Sequence, residues 1–158
     1  SRIATEFSSF ARMPSPSLET INLLSLLDEI VTLYNTPATA VTLTAPQEQM
    51  NVLADTSHLK RVFINLIRNS IQAGAIAIAI NVNRSEKFYN ITITDNGSGI
   101  AEENQALIFD KSFTTKQSGM GIGLKISKRF LETIGGSIIL EESFSGKTVF
   151  VIQLPIQL

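Results

Sequence analysis

Asp95 ends the run "FYNITITD", in which apolar and polar residues alternate, and "NGSG" follows it at once. Alternation places Ile91, Ile93 and Asp95 on one face of a strand, the face that should meet the rest of a core. Burying an unpaired carboxylate there costs on the order of several kcal/mol, so Asp95 requires a hydrogen-bond donor. No Lys or Arg adjoins it, and a base with an exocyclic amine would serve. Gly97 and Gly99 permit positive φ and close approach of main chain to a flat ring just past the strand. Taken alone, the same residues are equally well an ordinary turn.

A second group lies in "SHLKRVFINLIRNSIQAG", where helical spacing puts Leu59, Val62, Phe63, Leu66 and Ser70 on one face. Asn65 and Asn69, one turn apart, fall on its flank. Asn costs a helix about a few tenths of a kcal/mol relative to better formers, so two of them hint at a use, although a solvated flank is the bland alternative. An amide oxygen is a hard, neutral ligand suited to Mg²⁺, which takes few protein ligands alongside phosphate oxygens and water.

The third group is Gly119, Gly121 and Gly123, running into a helix whose free N–H groups and dipole make an anion site, with Lys116 just upstream as a point charge for phosphate. The spacing is G-x-G-x-G rather than G-x-G-x-x-G, and no strand leads directly into it, so the dinucleotide fingerprint fails. The "GKT" at Gly146 to Thr148 is a decoy. A P-loop needs a glycine where this chain has Glu141, and a helix where it has a strand.

The elements that must carry these groups are legible from periodicity. Ile3, Phe7 and Phe10 recur at helical spacing until Pro14 and Pro16 stop the pattern. "SLETINLLSLLDEIVTLYN" predicts one amphipathic helix from a Ser17-x-x-Thr20 start, with Ile21, Leu24, Leu27, Ile30, Val31 and Tyr34 on its stripe. "AVTLTA" and "NVLAD" predict short strands, and Asp55 or Thr56 caps a helix through about Ala73. Residues 75–83 alternate Ile76, Ile78, Ile80 and Val82 inward and pair as a hairpin with 88–95. A polar loop over 100–118 holds one helical turn. Residues 120–134 form a helix with Ile126, Phe130, Leu131 and Ile134 inward, and a hairpin turning at Ser145-Gly146 closes the chain. This order predicts a two-layer α/β sandwich: a mixed, mostly antiparallel sheet with all helices on one face.

Composition narrows the partners. The 158 residues, 44% hydrophobic, can bury one core. Thirteen basic against fourteen acidic residues leave a net charge of −1, so nothing points to nucleic acid or an anionic membrane surface. With no cysteine and one histidine, His58, neither a disulfide scaffold nor a zinc site is expected. No apolar run approaches the roughly 20 residues that span a bilayer. A cytoplasmic location is expected, with an inner-membrane anchor elsewhere in a longer protein left open.

Asn65-x-x-x-Asn69, Asp95-x-Gly97-x-Gly99, Phe109-x-x-x-Phe113 and Gly119-x-Gly121-x-Gly123, in this order, resemble the ATP-binding domain of sensor histidine kinases. That is the Bergerat fold shared with DNA gyrase, mismatch-repair ATPases and the large heat-shock chaperone. The resemblance spans about residues 17–158, and "EFSSFARMP" with "FTTK" looks most like the nitrogen-regulation class. It implies ATP and Mg²⁺ as ligands, with Asn69 on the metal, Asn65 beside the phosphates or the metal shell, and Asp95 accepting from the adenine amine. Gly97, Gly99 and Ile100 would shape the base pocket. Phe109, Phe113 and Thr115 would belong to the lid, with Lys116 as phosphate stabiliser. Gly121, Gly123 and Leu124 would approach the phosphates with main chain, after Gly119, and Thr148 would stand beside Asp95.

This sequence departs from the pattern in three places. Gln72 stands where many relatives have Lys or Arg, Met120 stands where Thr is commoner, and the phospho-accepting His is missing. His58 occupies none of the motif positions and reads as a boundary residue. The resemblance therefore implies that residues 1–14 are the tail of a dimerisation helix and residues 15–158 the catalytic domain. Expected partners are the phospho-acceptor domain of the same protein, a homodimer when whole, and a response regulator receiver domain. The chain alone is expected to be a monomer unable to phosphorylate itself. Two alternatives stay open, a serine kinase of the anti-sigma type and a nucleotide-binding module without catalysis. A hydrolysing relative would want a carboxylate where Asn65 stands.

Overall fold

The computed structural model describes residues 16–110 and 120–158. Five strands form one sheet in the order β2-β4-β5-β7-β6. They are β2 (Ala40–Thr44), β4 (Ala77–Arg84), β5 (Phe88–Asp95), β6 (Ser137–Phe144) and β7 (Lys147–Pro155). Only β2 runs parallel to its neighbour, β4; the other pairings are antiparallel. The expected mixed, mostly antiparallel sheet is thus present, with both hairpins in place.

Register explains the core. Ile80, Ile93 and Phe150 lie in one row across β4, β5 and β7, and Val82, Ile91, Ile152 and Ile138 in the next. All seven are buried. On strands with a period of two, this alternation makes one apolar face and leaves Asn81, Thr92 and their neighbours on the other.

Three helices meet that arrangement: α1 (Leu23–Tyr34), α2 (Thr56–Gln72) and α4 (Met120–Thr133); α3 (Glu102–Gln105) is a single turn. Leu59, Val62, Phe63, Leu66 and Ile67 of α2 are buried, as are Leu124, Phe130 and Leu131 of α4. Helices α2 and α4 pack antiparallel, since Gly123 abuts Asn65 at one end while the rings of His58 and Phe130 stack at the other, with centroids 4.0 Å apart. Among the described residues no helix is long and apolar enough to cross a membrane.

Two expectations are corrected. The helix foreseen from Ser17 is a strand first: β1 (Glu19–Asn22) pairs antiparallel with β3 (Asn51–Ala54) in a separate two-stranded sheet. The helix cap is Asn22, whose side-chain oxygen accepts from Leu24 N at 3.1 Å. Thr56 Oγ1 donates to Glu19 at 2.6 Å and Ser17 N to Asp55 at 2.8 Å, so remote partners hold this segment extended. Ile76, expected inward, is 67% exposed, because β4 starts only at Ala77. Asp55 does cap α2, its Oδ1 accepting from Ser57 N and His58 N. The expected helical pattern over residues 1–13 lies outside the described residues.

Candidate functional site

The site is built at one end of the sheet. Cross-strand register sets Ile78, Asp95, Thr148 and Ser143 in a row over β4, β5, β7 and β6. Asp95 is 6% exposed, on the face of Ile91 and Ile93 as parity requires. Its Oδ2 accepts from Ser70 Oγ at 2.6 Å and its Oδ1 from Gly97 N at 2.8 Å. The demand for a donor is thus met in part by the chain itself. A carboxylate has about four acceptor positions, so two donors leave capacity for an incoming N–H.

The turn after β5 is fixed from three sides. Asn96 Oδ1 accepts from Ile76 N and Ala77 N, stitching the turn to β4. A Cβ on Gly97 would come within 2.8 Å of the Ala73 carbonyl oxygen, so the end of α2 presses directly on this main chain. Gly99, at φ +83°, lies so close to the backbone of Phe144 that a Cβ would meet its carbonyl at 2.5 Å. These glycines serve close approach within the chain as well as any ligand. Ile100 N donates to Ser143 Oγ at 2.8 Å, Ser143 Oγ lies 2.7 Å from Thr148 Oγ1, and Gln105 Nε2 donates to the carbonyls of Ile100 and Ser143. Thr148 is buried beside Asp95, as its parity with Phe150 and Ile152 predicts, and its described hydroxyl partner is Ser143.

Along α2 the polarity reverses. Asn69 is 7% exposed with Nδ2 buried and unpartnered, and Nδ2 of the half-buried Asn65 is likewise buried without a partner among the described residues. A Cβ on Gly123 would fall 2.5–2.9 Å from the Asn65 amide, so the first turn of α4 walls that side chain directly. Helical rise puts Asn65 and Ser70 roughly 7 to 8 Å apart along the axis. One helix therefore holds a buried acceptor, Asp95, through Ser70 on its inner face and carries on its flank two buried donors without partners among the described residues.

Of the other residues singled out, Gln72 is exposed at the end of α2, Gly121 falls in the first turn of α4, and Leu124 is wholly buried just past it. The Phe109 ring meets Phe150 edge-on at 6.4 Å, and Lys128 Nζ lies 5.3 Å from its centroid. Phe113, Thr115, Lys116 and Gly119 lie outside the described residues. His58 stands at the far end of α2 from the site, in a cleft with Pro16, Leu59, Phe130 and Ile134. There the hydroxyl of Ser57, then the N–H groups of Ser17 and His58, hold the Asp55 carboxyl down at about 2 from an ordinary 3.8. Ser70, Ser143 and Gln105 carried no role in the sequence. Only Ser70 offered a signal: a hydroxyl on an apolar stripe needs a partner once buried.

Residues 54–158 match the family described as histidine kinase-, DNA gyrase B-, and HSP90-like ATPase. The NtrY-like sensor histidine kinase of Rickettsia bellii is 30% identical over 98% of this chain, and sensor histidine kinase ZraS of Salmonella typhimurium 31% over 98%. The chain spans 26% and 35% of those relatives' lengths. Among solved structures, the catalytic domain of histidine kinase ThkA superposes with a TM-score of 0.78 at 28% identity, covering 89% of this chain and 96% of that one. ThkA in complex with the response regulator protein TrrA gives 0.78 at 26% identity, covering 99% of this chain and 47% of that one.

Proposed function

Because this chain belongs to the histidine kinase-, DNA gyrase B-, and HSP90-like ATPase family, we propose that its site holds ATP with Mg²⁺ and that the whole protein passes the γ-phosphoryl to a histidine. One observation carries this reading. A buried acceptor, Asp95 on β5, is held by Ser70 of α2, and the same helix carries on its flank the buried donors of Asn65 and Asn69, without partners among the described residues. Adenine offers an amine donor at one end of ATP, and the phosphates offer acceptors at the other.

In this arrangement Asp95 accepts from the amine, with Thr148 beside it, and the turn through Gly97, Gly99 and Ile100 bounds the base. Asn65 and Asn69 donate to phosphate oxygens. The free N–H groups in the first turn of α4, at Gly121 and Gly123, face the same charge, with Lys116 upstream of them. The carboxamide of Asn69 is a hard, neutral donor of the kind Mg²⁺ accepts beside phosphate oxygens. Bound there, Mg²⁺ would supply neutralisation of charge on the transferring group.

Transfer then depends on position. The bond from the γ-phosphorus to its bridging oxygen breaks, ADP leaves, and a ring nitrogen of the acceptor histidine takes the phosphoryl. That histidine belongs to a dimerisation domain of the whole, homodimeric protein, and an aspartate of a response regulator receiver domain receives the phosphoryl next. Similarity to an NtrY-like kinase and to the nitrogen regulation protein NtrY favours a nitrogen-regulation type of sensor kinase.

Calorimetric titration of ATP with and without Mg²⁺ tests the site. Mg²⁺ should tighten binding in the native chain, and Asn69→Ala should lose most of that gain beyond the roughly tenfold fall in Mg²⁺-free affinity expected for one hydrogen bond to phosphate. An Asn69→Ala chain that still responds fully to Mg²⁺ would overturn the assignment. Phosphoryl transfer from radiolabelled ATP to a separately supplied dimerisation domain tests the chemistry.

A further inference from the structure

We propose that Ser70 is a positioning residue for the base, orienting Asp95 and thereby setting the preference of the site for a purine that carries an exocyclic amine. The inference rests on the reading of Asp95 as the adenine contact and extends it to a residue outside every motif.

A serine in a helix can satisfy its hydroxyl locally, by donating to the carbonyl one turn back. Ser70 instead donates across the layer boundary, from α2 down to Asp95 Oδ2 on β5, at 2.6 Å. That distance is in the short range typical of hydroxyl donation to a carboxylate. Both partners are enclosed, Ser70 at 5% exposure and Asp95 at 6%, so water does not compete for the bond. The other carboxylate oxygen is held by Gly97 N at 2.8 Å. One donor sits on the helix layer and one on the turn after the strand. Together they fix the position of each oxygen and the tilt of the carboxylate plane.

That tilt decides what Asp95 can recognise. An acceptor selects an amine only if its free lone pair is aimed at the amine's position, because hydrogen bonds weaken steeply with misalignment. With Gly97 N as its sole described tether, the carboxylate would be free to swing, and the incoming amine would have to order it. The backbone N–H of Gly97 is fixed by the chain fold, whereas the Ser70 hydroxyl is a side-chain choice. Alanine is its near-isostere and a better helix former, so helix stability gives no reason for serine here. Burial alone gives none either, since a buried hydroxyl needs a partner that a methyl does not, and for Ser70 that partner is Asp95.

The test compares ATP with purine riboside triphosphate, which lacks the 6-amino group, in equilibrium binding to the native chain, Ser70→Ala and Asp95→Asn. The native chain should prefer ATP, and Asp95→Asn should abolish that preference. Ser70→Ala should lower the ATP affinity roughly tenfold, the loss expected for one hydrogen bond to a charged group, and leave the affinity for purine riboside triphosphate within about twofold. The ratio of the two affinities is the decisive quantity, because a fall in folded fraction would weaken both ligands alike and leave it unchanged. A Ser70→Ala chain with the native ratio overturns the proposal. If Asp95→Asn also keeps the native ratio, the adenine assignment of Asp95 itself fails, which is a separate and recognisable outcome.

Discussion

Gly123 is the residue on which helix stability and ligand binding should part company. It lies near the start of α4, where alanine is the better helix former by up to about 1 kcal/mol. A Cβ there would enter to 2.5 Å from Asn65 Nδ2 and 2.7 Å from its Oδ1, which the amide can escape only by turning away. Gly123→Ala is therefore expected to change the melting temperature little while weakening ATP binding tenfold or so, the loss of about one well-placed hydrogen bond to a charged group. Melting the variant with and without ATP separates the two effects, and an unchanged nucleotide-induced shift would show that Asn65 does not touch the ligand. Residues such as Asp95 and Asn69 were legible in the sequence because their chemistry contradicts their place: a carboxylate on an inward parity, amides on a good helix. Ser70 was seen only as inward-facing. Its partner lies 25 residues away in another layer, a distance no local pattern encodes. The same holds for Gly97 and Gly99, whose neighbours are Ala73 and Phe144.

Among elements, α2 carries most of the site, and its N-terminus is where its stability can be tested. Asp55 accepts from Ser57 N, Ser57 Oγ and His58 N, and from Ser17 N, two residues before β1. Replacing it with alanine is expected to cost about 1 kcal/mol, typical of an N-cap and less than the full pKa depression implies, because water reaches this carboxylate. In the folded chain this carboxyl is held down at about 2, below its ordinary value of 3.8. The cap's ionised form contributes fully above the higher value, and the contribution fades as pH falls through the lower one. Urea melts of the native chain and Asp55→Ala should therefore differ at pH 6 and converge between pH 4 and 2; a gap independent of pH would remove the ionic cap from the account. The capping signal at Asp55 was readable because it is local. By contrast, Glu19–Asn22 fits a helical stripe as well as a strand, and only its pairing with Asn51–Ala54 decides. The true cap, Asn22, lay inside the expected helix.

At the scale of the whole molecule, the site draws on segments far apart in the chain: α2 at Asn65 to Ser70, the end of β5 with its turn, the start of α4, and Thr148 on β7. None of these neighbours another in sequence, so a ligand bridging them ties the helix layer to the sheet. A ligand that binds the folded state alone adds RT ln(1 + [L]/Kd) to stability, about 2.7 kcal/mol at a hundredfold excess over Kd. For a chain of this size, 1 kcal/mol moves the melting temperature by about 2–4 °C, so saturating ATP with Mg²⁺ should raise it by roughly 5–10 °C. If the proposed site is right, adenosine would engage only the Asp95 end and should give a small part of that shift at the same concentration. Chelating Mg²⁺ should remove another part, and in Asn69→Ala chelation should change nothing further. The order of effects matters more than their size. If adenosine alone matched ATP, the donors at Asn65 and Asn69 would have no phosphate to meet, and the polarity along α2 would need another explanation.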